Sequence, residues 1–150
     1  MIIVILAAGQ GNRLKNTLPK SFPYTTKSII KINNQPAIKR LIKQFSGIEN
    51  NNILLVLGHK YQSVLEVIND DKQEFVLNNY YKNDSNLRSL FLALNRIINN
   101  KEFKLNNGLL VVEADSFFSN QILKNFMDYI YKLNNLNNSV NQICWTTKGY

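Results

Sequence analysis

The sequence contains one cysteine, three prolines and no long apolar run. Cys144 has no second cysteine with which to form an internal disulfide, which agrees with a reducing compartment. A membrane helix needs a run of about 18 or more apolar residues, and the sequence has none. The apolar residues 2–8 also lack the basic lead-in and cleavage pattern of a secretory signal. We therefore expect a cytoplasmic protein without membrane insertion.

Acidic residues are also scarce. Ten acids stand against eighteen basic residues, which gives a formal net charge of +8. A basic chain can bind nucleic acid, but these lysines are scattered and no DNA-binding or RNA-binding motif accompanies them. We therefore expect no nucleic-acid partner and an affinity for anionic small molecules.

Short apolar segments alternate with amphipathic ones along the chain. Hydrophobic residues make up 45% of the sequence, enough for one domain with a core over residues 1–150. Strands are predicted at 2–6, 53–57, 75–77, 109–112 and 140–145, and helices at 36–45, 62–68, 86–98 and 122–133. The helix at 86–98 carries an apolar stripe of Leu87, Leu90, Leu94 and Ile97. Residues 9–28 are predicted to form a long loop. This alternation predicts an α/β fold with a mainly parallel sheet covered by helices on both faces.

The first predicted strand runs into a turn of small residues, Leu6-Ala-Ala-Gly9-x-Gly11-x-Arg13-Leu14. Glycines let backbone amides approach phosphate oxygens, and a guanidinium can neutralise them, although a Gly-x-Gly turn is often merely a tight connection. A dinucleotide-binding loop would need a third glycine where Leu14 stands and an acid where Gly58-His59-Lys60 stand. A Walker A loop would need Gly-Lys-Ser/Thr after four intervening residues, which is absent. Both common phosphate loops are therefore excluded.

The turn resembles the signature of nucleotidyltransferases that activate sugar phosphates or phospho-alcohols. Three later segments extend the resemblance in the same order. Residues 26–38 are similar to the family's lysine, strand, turn and proline-started helix. The segment Asn78-x-x-Tyr81-x-x-x-x-Asn86-x-x-Ser89-Leu90 resembles that of bacterial phosphocholine cytidylyltransferases, and Leu110-Val-Val-Glu-Ala-Asp115 resembles the strand whose terminal aspartate binds magnesium.

The resemblance implies a three-layer α/β/α Rossmann-like nucleotidyltransferase fold and an enzymatic activity. The implied reaction is Mg²⁺-dependent transfer of CMP from CTP to phosphocholine or a similar phosphorylated small molecule, with release of pyrophosphate. Two alternatives stay open. One is a sugar-1-phosphate nucleotidyltransferase that uses another triphosphate, and the other is a catalytically inactive nucleotide-binding regulatory module.

The resemblance also implies roles for particular residues. Arg13 would clamp the β- and γ-phosphates, and Asp115 would hold Mg²⁺. Glu113 shares a side of the strand with Asp115 and is either its partner or an exposed acid. The residues implied to contact the nucleotide are Leu6, Ala7, Ala8, Gly9, Gly11, Asn78, Asn86 and Ser89.

Two lysines compete for the family's catalytic position. Pro19-Lys20 has the usual Pro-Lys form, whereas counting back from Pro36 gives Lys27, with Thr26 in place of the proline. We prefer Lys27 because the downstream register is continuous, and Lys20 stays open.

The resemblance implies a longer chain than this one. The family's C-terminal part supplies acceptor contacts and a second acidic metal ligand, but the only acid after Asp115 is Asp128. We therefore expect the domain to be incomplete at its C-terminus.

Overall fold

The N-terminal strand lies inside a four-stranded sheet in which all strands run parallel. The computed structural model describes residues 1–19, 26–48, 51–70, 73–83, 86–103 and 108–135. The strands are β1 (Ile2–Ala7), β2 (Lys31–Ile32), β3 (Gln35–Pro36), β4 (Asn52–Leu57), β5 (Glu74–Leu77) and β6 (Leu109–Glu113). The helices are α1 (Asn12–Thr17), α2 (Ala37–Ser46), α3 (Tyr61–Ile68), α4 (Asn86–Asn99) and α5 (Asn120–Asn135), with 3₁₀ turns at Lys27–Ile29 and Tyr81–Asn83.

The order of strands in the sheet is β5-β4-β1-β6, and β2 and β3 form a separate antiparallel pair. Because β1 lies between two neighbours and under helices, it is a nearly continuous apolar run rather than an alternating one. Ile3, Val4 and Ile5 are completely buried. The register sets Leu6 opposite Val56 on one side and Glu113 on the other.

Helices cover both faces of this sheet. On one face, Val4 and Val56 share a core cluster with Ala93 and Ile97 of α4. Alternate residues of β1 and β4 point to the other face, where α2 packs against β4 and α3. The predicted α/β architecture with a parallel sheet is confirmed.

The strand order reverses direction beside β1. The chain steps outward from β1 to β4 and β5, and then returns through α4 to β6 on the opposite side of β1. Right-handed crossovers that step in opposite directions place their helices on opposite faces. The carboxyl ends of β1 and β6 therefore flank a topological switch point, where open α/β sheets bind ligands.

The chain divides into two compact units, Met1–Ser116 and Phe117–Tyr150. The first unit contains the six strands that the structure describes, and the described part of the second contains α5. The strand predicted at 140–145 lies outside the described residues. Among the helices described, none is long and apolar enough to cross a membrane.

Two local predictions are wrong. Residues 9–28 were predicted as a loop, but the segment contains α1 and the start of the 3₁₀ turn Lys27–Ile29. Helix α1 is short and has no apolar periodicity; it begins after Gly11 in the left-handed region and ends where the Leu18 N–H donates to the Leu14 carbonyl. Leu87, predicted on the apolar stripe of α4, is 72% exposed because α4 is buried along Ser89, Ala93 and Ile97, of which only Ile97 belongs to that stripe.

Candidate functional site

The turn after β1 leaves the sheet at the switch point. Ala7 and Ala8 are buried, whereas Gly9 is exposed, and a Cβ added to Gly9 would meet nothing within 4 Å. Gly11 has a φ of 66° and precedes α1. A left-handed backbone favours glycine, so this position requires the residue it has. The turn thus leaves open space above its backbone at Gly9.

The end of β4 is packed directly against this turn. The Ala8 carbonyl accepts a hydrogen bond from the His59 N–H at 3.0 Å. A Cβ on Gly58 would lie 2.7 Å from the Ala8 carbonyl oxygen and 3.0 Å from the Tyr81 Cβ. Gly58 is therefore a glycine because the two strand ends approach too closely for a side chain. His59 lies beside Tyr81, with ring centroids 5.5 Å apart.

The end of β6 brings an aspartate to the same edge. The Ala114 N–H donates to the Leu6 carbonyl at 2.9 Å, which continues the pairing with β1 beyond the strand. Asp115 follows, and its Oδ2 lies 2.7 Å from the Nζ of Lys27. This ion pair joins residues 88 positions apart in the sequence. Their side chains are 28% and 43% exposed, so both remain accessible to a ligand.

The start of α4 is held to the sheet by buried and exposed amides. Asn78 is completely buried, and its N–H donates to the Leu57 carbonyl at 2.8 Å. Its side-chain Nδ2 donates to the Ser89 Oγ at 3.0 Å, and its Oδ1 accepts from the Tyr80 N–H at 3.0 Å. Asn86 donates through Nδ2 to the carboxylate of Glu113. Asn78 therefore positions Ser89.

These elements enclose a cavity of about 50 Å³. It is lined by residues 6–9 of β1 and its turn, residues 26–28, Asn86 and Ser89 of α4, and residues 113–115. Small-molecule sites usually span roughly 300–1,000 Å³. A nucleotide therefore fits only if lining side chains move or most of the ligand extends beyond the cavity.

Most of the residues implicated by the sequence meet at this cavity. Those that line it are Leu6, Ala7, Ala8, Gly9, Lys27, Asn86, Ser89 and Asp115. Asn78 lies one hydrogen bond away, behind Ser89. Gly11 and Arg13 do not line it, and Arg13 is exposed on α1. Lys20 lies outside the described residues.

Sequence reasoning gave no role to two hydroxyls at this cavity. Thr26 and Ser28 line it and are 0% and 1% exposed. Neither hydroxyl oxygen has a hydrogen-bond partner in the part of the chain that the structure describes. A buried polar group without a partner costs about 1–3 kcal/mol, so its presence needs an explanation. Their position on either side of Lys27 was visible in the sequence, but their burial was not.

The carboxylates at the cavity are suitable ligands for a cation that also binds oxygen atoms of the substrate. Asp115 and Glu113 both line the cavity. Among the described residues, no group of three or more His, Cys, Asp or Glu side chains could hold a metal by itself. Mg²⁺ is usually bound through one or two carboxylates together with substrate phosphates and waters. The chemistry of these two carboxylates therefore fits Mg²⁺ carried with a triphosphate.

A known protein family matches most of this chain. Residues 3–139 match the family described as the MobA-like NTP transferase domain. The chain belongs to this family. The nucleotidyltransferase resemblance drawn from four sequence segments is thereby confirmed.

Curated relatives of this NTP transferase domain are longer proteins. The bifunctional protein GlmU of Nitratiruptor sp. is 32% identical over 130 residues, which cover 83% of this chain and 26% of the relative. GlmU of Streptococcus agalactiae is 35% identical over 74 residues, covering 49% and 14%. A probable UDP-N-acetylglucosamine pyrophosphorylase of Acanthamoeba polyphaga mimivirus is 33% identical over 81 residues, covering 51% and 29%. The chain thus matches less than a third of the length of each.

Two solved structures share the fold of the NTP transferase domain. The CTP:phosphocholine cytidylyltransferase LicC of Streptococcus pneumoniae superposes with a TM-score of 0.59 at 23% identity, covering 80% of this chain and 50% of LicC. A nucleotidyl transferase of Methanothermobacter superposes with a TM-score of 0.64 at 19% identity, covering 85% and 56%. The predicted Rossmann-like nucleotidyltransferase fold is confirmed.

Proposed function

We propose that this NTP transferase domain is a Mg²⁺-dependent nucleotidyltransferase. The enzyme transfers CMP from CTP to phosphocholine or a similar phosphorylated small molecule and releases pyrophosphate. The observation that carries the proposal is the Lys27–Asp115 ion pair, 2.7 Å long, at a cavity that the Gly9 turn also lines. The ion pair joins two separate sequence segments at the switch point of the sheet, and the cavity brings the Gly9 turn to them as a third.

The reaction brings two anions together, so positive charge is the main requirement. An oxygen of the acceptor phosphate attacks the α-phosphorus of the triphosphate, and pyrophosphate leaves. Lys27 offsets the negative charge of the reacting phosphates, and the exposed Arg13 supplies a guanidinium for the β- and γ-phosphates. The Gly9 backbone admits a phosphate because nothing lies within 4 Å of the position its Cβ would take. Bound Mg²⁺, held by Asp115, would add charge neutralisation.

The base and the ribose contact polar side chains at and near the start of α4. Asn86 and Ser89 line the cavity, and Asn78 fixes the Ser89 hydroxyl through a buried hydrogen bond. The preference for CTP is supported by the likeness of segment 78–90 to phosphocholine cytidylyltransferases. The sharing of a fold with LicC agrees with it.

A second candidate is a sugar-1-phosphate nucleotidyltransferase with a different triphosphate. The mimiviral relative, a probable UDP-N-acetylglucosamine pyrophosphorylase, favours this substrate class. Binding of a triphosphate without turnover would instead make the domain a regulatory module.

The proposal is tested by binding and turnover measured separately. CTP, UTP, GTP and ATP are titrated with and without Mg²⁺, and pyrophosphate release is followed with phosphocholine or a sugar 1-phosphate as acceptor. We expect release with CTP, phosphocholine and Mg²⁺, its loss in Asp115→Asn, and no change in Asp128→Asn, which removes an exposed aspartate of α5.

Each other outcome points elsewhere. Release only with a sugar 1-phosphate and another triphosphate supports the second candidate. Triphosphate binding without release with any acceptor supports the regulatory module. A wild-type chain that binds no triphosphate contradicts all three functions.

A further inference from the structure

We propose that the hydroxyls of Thr26 and Ser28 donate hydrogen bonds to a phosphate group bound beside Lys27. This assignment rests on the proposed function for the identity of the ligand, which is either the triphosphate or the phosphorylated acceptor. The three residues are consecutive and all line the cavity at the switch point. Together they offer two neutral donors and one ammonium to a single anion.

Both hydroxyls are buried and lack a hydrogen-bond partner among the described residues. The residues Thr26 and Ser28 are 0% and 1% exposed, and within the described residues neither hydroxyl oxygen has a hydrogen-bond partner. Buried hydroxyls in folded proteins are almost always bonded to protein, ordered water or ligand. Because both hydroxyls belong to residues that line one cavity, a ligand in that cavity explains the pair best.

Local backbone structure does not use either hydroxyl. Thr26 precedes the 3₁₀ turn Lys27–Ile29, where a threonine side chain commonly caps the first turn. Here its side chain makes no capping hydrogen bond, and the Thr26 backbone carbonyl accepts the Ile29 N–H at 3.3 Å. Ser28 lies within the same turn. The hydroxyls are therefore available to a ligand without disrupting the turn.

The charge beside them favours an anion over a neutral ligand. Lys27 lies between the two residues in sequence and lines the same cavity, and its ammonium pairs with Asp115 at 2.7 Å. Hydrogen bonds to a charged phosphate are stronger than those between neutral groups. A phosphate at this position would gain both hydroxyls and share Lys27 with Asp115.

The test removes each hydroxyl with little change of shape. Thr26→Val and Ser28→Ala are compared with Thr26→Ser, which keeps the hydroxyl, and with Ser46→Ala, which removes an exposed hydroxyl at the end of α2. Calorimetric titrations use pyrophosphate, CTP and phosphocholine in EDTA, so that only protein donors contribute. Thermal unfolding of the ligand-free chain is measured in parallel.

We expect Thr26→Val and Ser28→Ala each to weaken pyrophosphate binding about tenfold, since each removes a hydrogen bond to a charged group. Thr26→Ser and Ser46→Ala should bind as the wild type does. The ligand-free Tm of the two hydroxyl-deleted variants should stay the same or rise, because each loses an unsatisfied buried group. A loss for pyrophosphate and CTP identifies the triphosphate as the ligand, and a loss for phosphocholine alone identifies the acceptor.

Two results would overturn the inference: unchanged anion affinity in Thr26→Val and Ser28→Ala, or a wild type that binds none of these anions. Unchanged affinity together with a lowered Tm would mean that the hydroxyls hold a structural water. Failure of the proposed function is read separately, from pyrophosphate release. A chain that binds pyrophosphate through these hydroxyls but transfers no nucleotide keeps this inference and removes that function.

Discussion

Two glycines at the switch point should respond in opposite ways to the same added methyl group. Gly58→Ala places a Cβ 2.7 Å from the Ala8 carbonyl oxygen, 2.9 Å from the Ala8 Cβ and 3.0 Å from the Tyr81 Cβ. All three atoms are fixed by the backbone, so none can rotate away. Gly9→Ala places its Cβ where nothing lies within 4 Å. The two variants therefore compare an added methyl group that must clash with one that has open space around it.

The expected magnitudes follow from the two environments. Overpacking of this kind costs about 1–3 kcal/mol, partly offset by a gain of about 0.4–1 kcal/mol because alanine restricts the unfolded chain. Gly58→Ala should therefore lower the free energy of unfolding by about 1–2 kcal/mol. At about 2–4 °C per kcal/mol for a chain of this size, the Tm falls by about 2–8 °C. Gly9→Ala should leave stability unchanged or raise it by about 0.5 kcal/mol.

Triphosphate affinity should also distinguish the two variants. Gly9→Ala keeps the fold but occupies the space through which a phosphate approaches the backbone, so triphosphate affinity falls without a loss of Tm. Urea unfolding followed by circular dichroism gives the stabilities, and calorimetric titration with CTP gives the affinities. Gly58→Ala as stable as the wild type would refute the close packing of the β4 end on the turn. Unchanged CTP affinity in Gly9→Ala would refute a role for that backbone in phosphate binding.

Three further substitutions test the ion pair and the polar contacts. Lys27→Met should change the free energy of unfolding by less than about 1 kcal/mol, because its pair with Asp115 is partly exposed, but should weaken CTP binding at least about tenfold in titration. Asn78→Ala should cost about 2–3 kcal/mol in urea unfolding, since it leaves buried groups without partners; a loss under about 0.5 kcal/mol would contradict this. Arg96→Ala breaks an exposed pair with Glu74 and should change stability by no more than about 0.5 kcal/mol, less at high salt.

The central strands could be predicted because a strand that is buried on both faces is a nearly continuous apolar run in the sequence. Strand β1 was predicted at 2–6 and observed at Ile2–Ala7, and β4 at 53–57 and Asn52–Leu57. Helix α1 could not be predicted, since its six residues contain only one large apolar side chain, Leu14, and therefore no period. For Leu87, apolar spacing was a poor guide, because α4 carries apolar residues on more than one side and packing decides which are buried.

Some features of the candidate site could likewise be predicted from the sequence, and others could not. That the Gly9 turn and Asp115 share an edge follows from parallel strand order alone, because the carboxyl ends of parallel strands meet at one side of a sheet. The preference for Lys27 depended on the resemblance, because it came from counting back from Pro36 along the family's segment, and Lys20 stayed open. The hydroxyls of Thr26 and Ser28 could not be assigned from sequence, because being buried without a partner is a property of packing.

The groups assigned to phosphate binding allow binding to be tested without transfer. The turn after β1, residues 26–28 and Asp115 all belong to the unit Met1–Ser116. No described residue is assigned to the part of the acceptor beyond its phosphate. Lys27→Met, Thr26→Val and Gly9→Ala should therefore each change the affinity for pyrophosphate whether or not this chain turns over a substrate. Loss of turnover with intact pyrophosphate binding would place the defect on the acceptor side, and loss of both would place it in the phosphate-binding groups themselves.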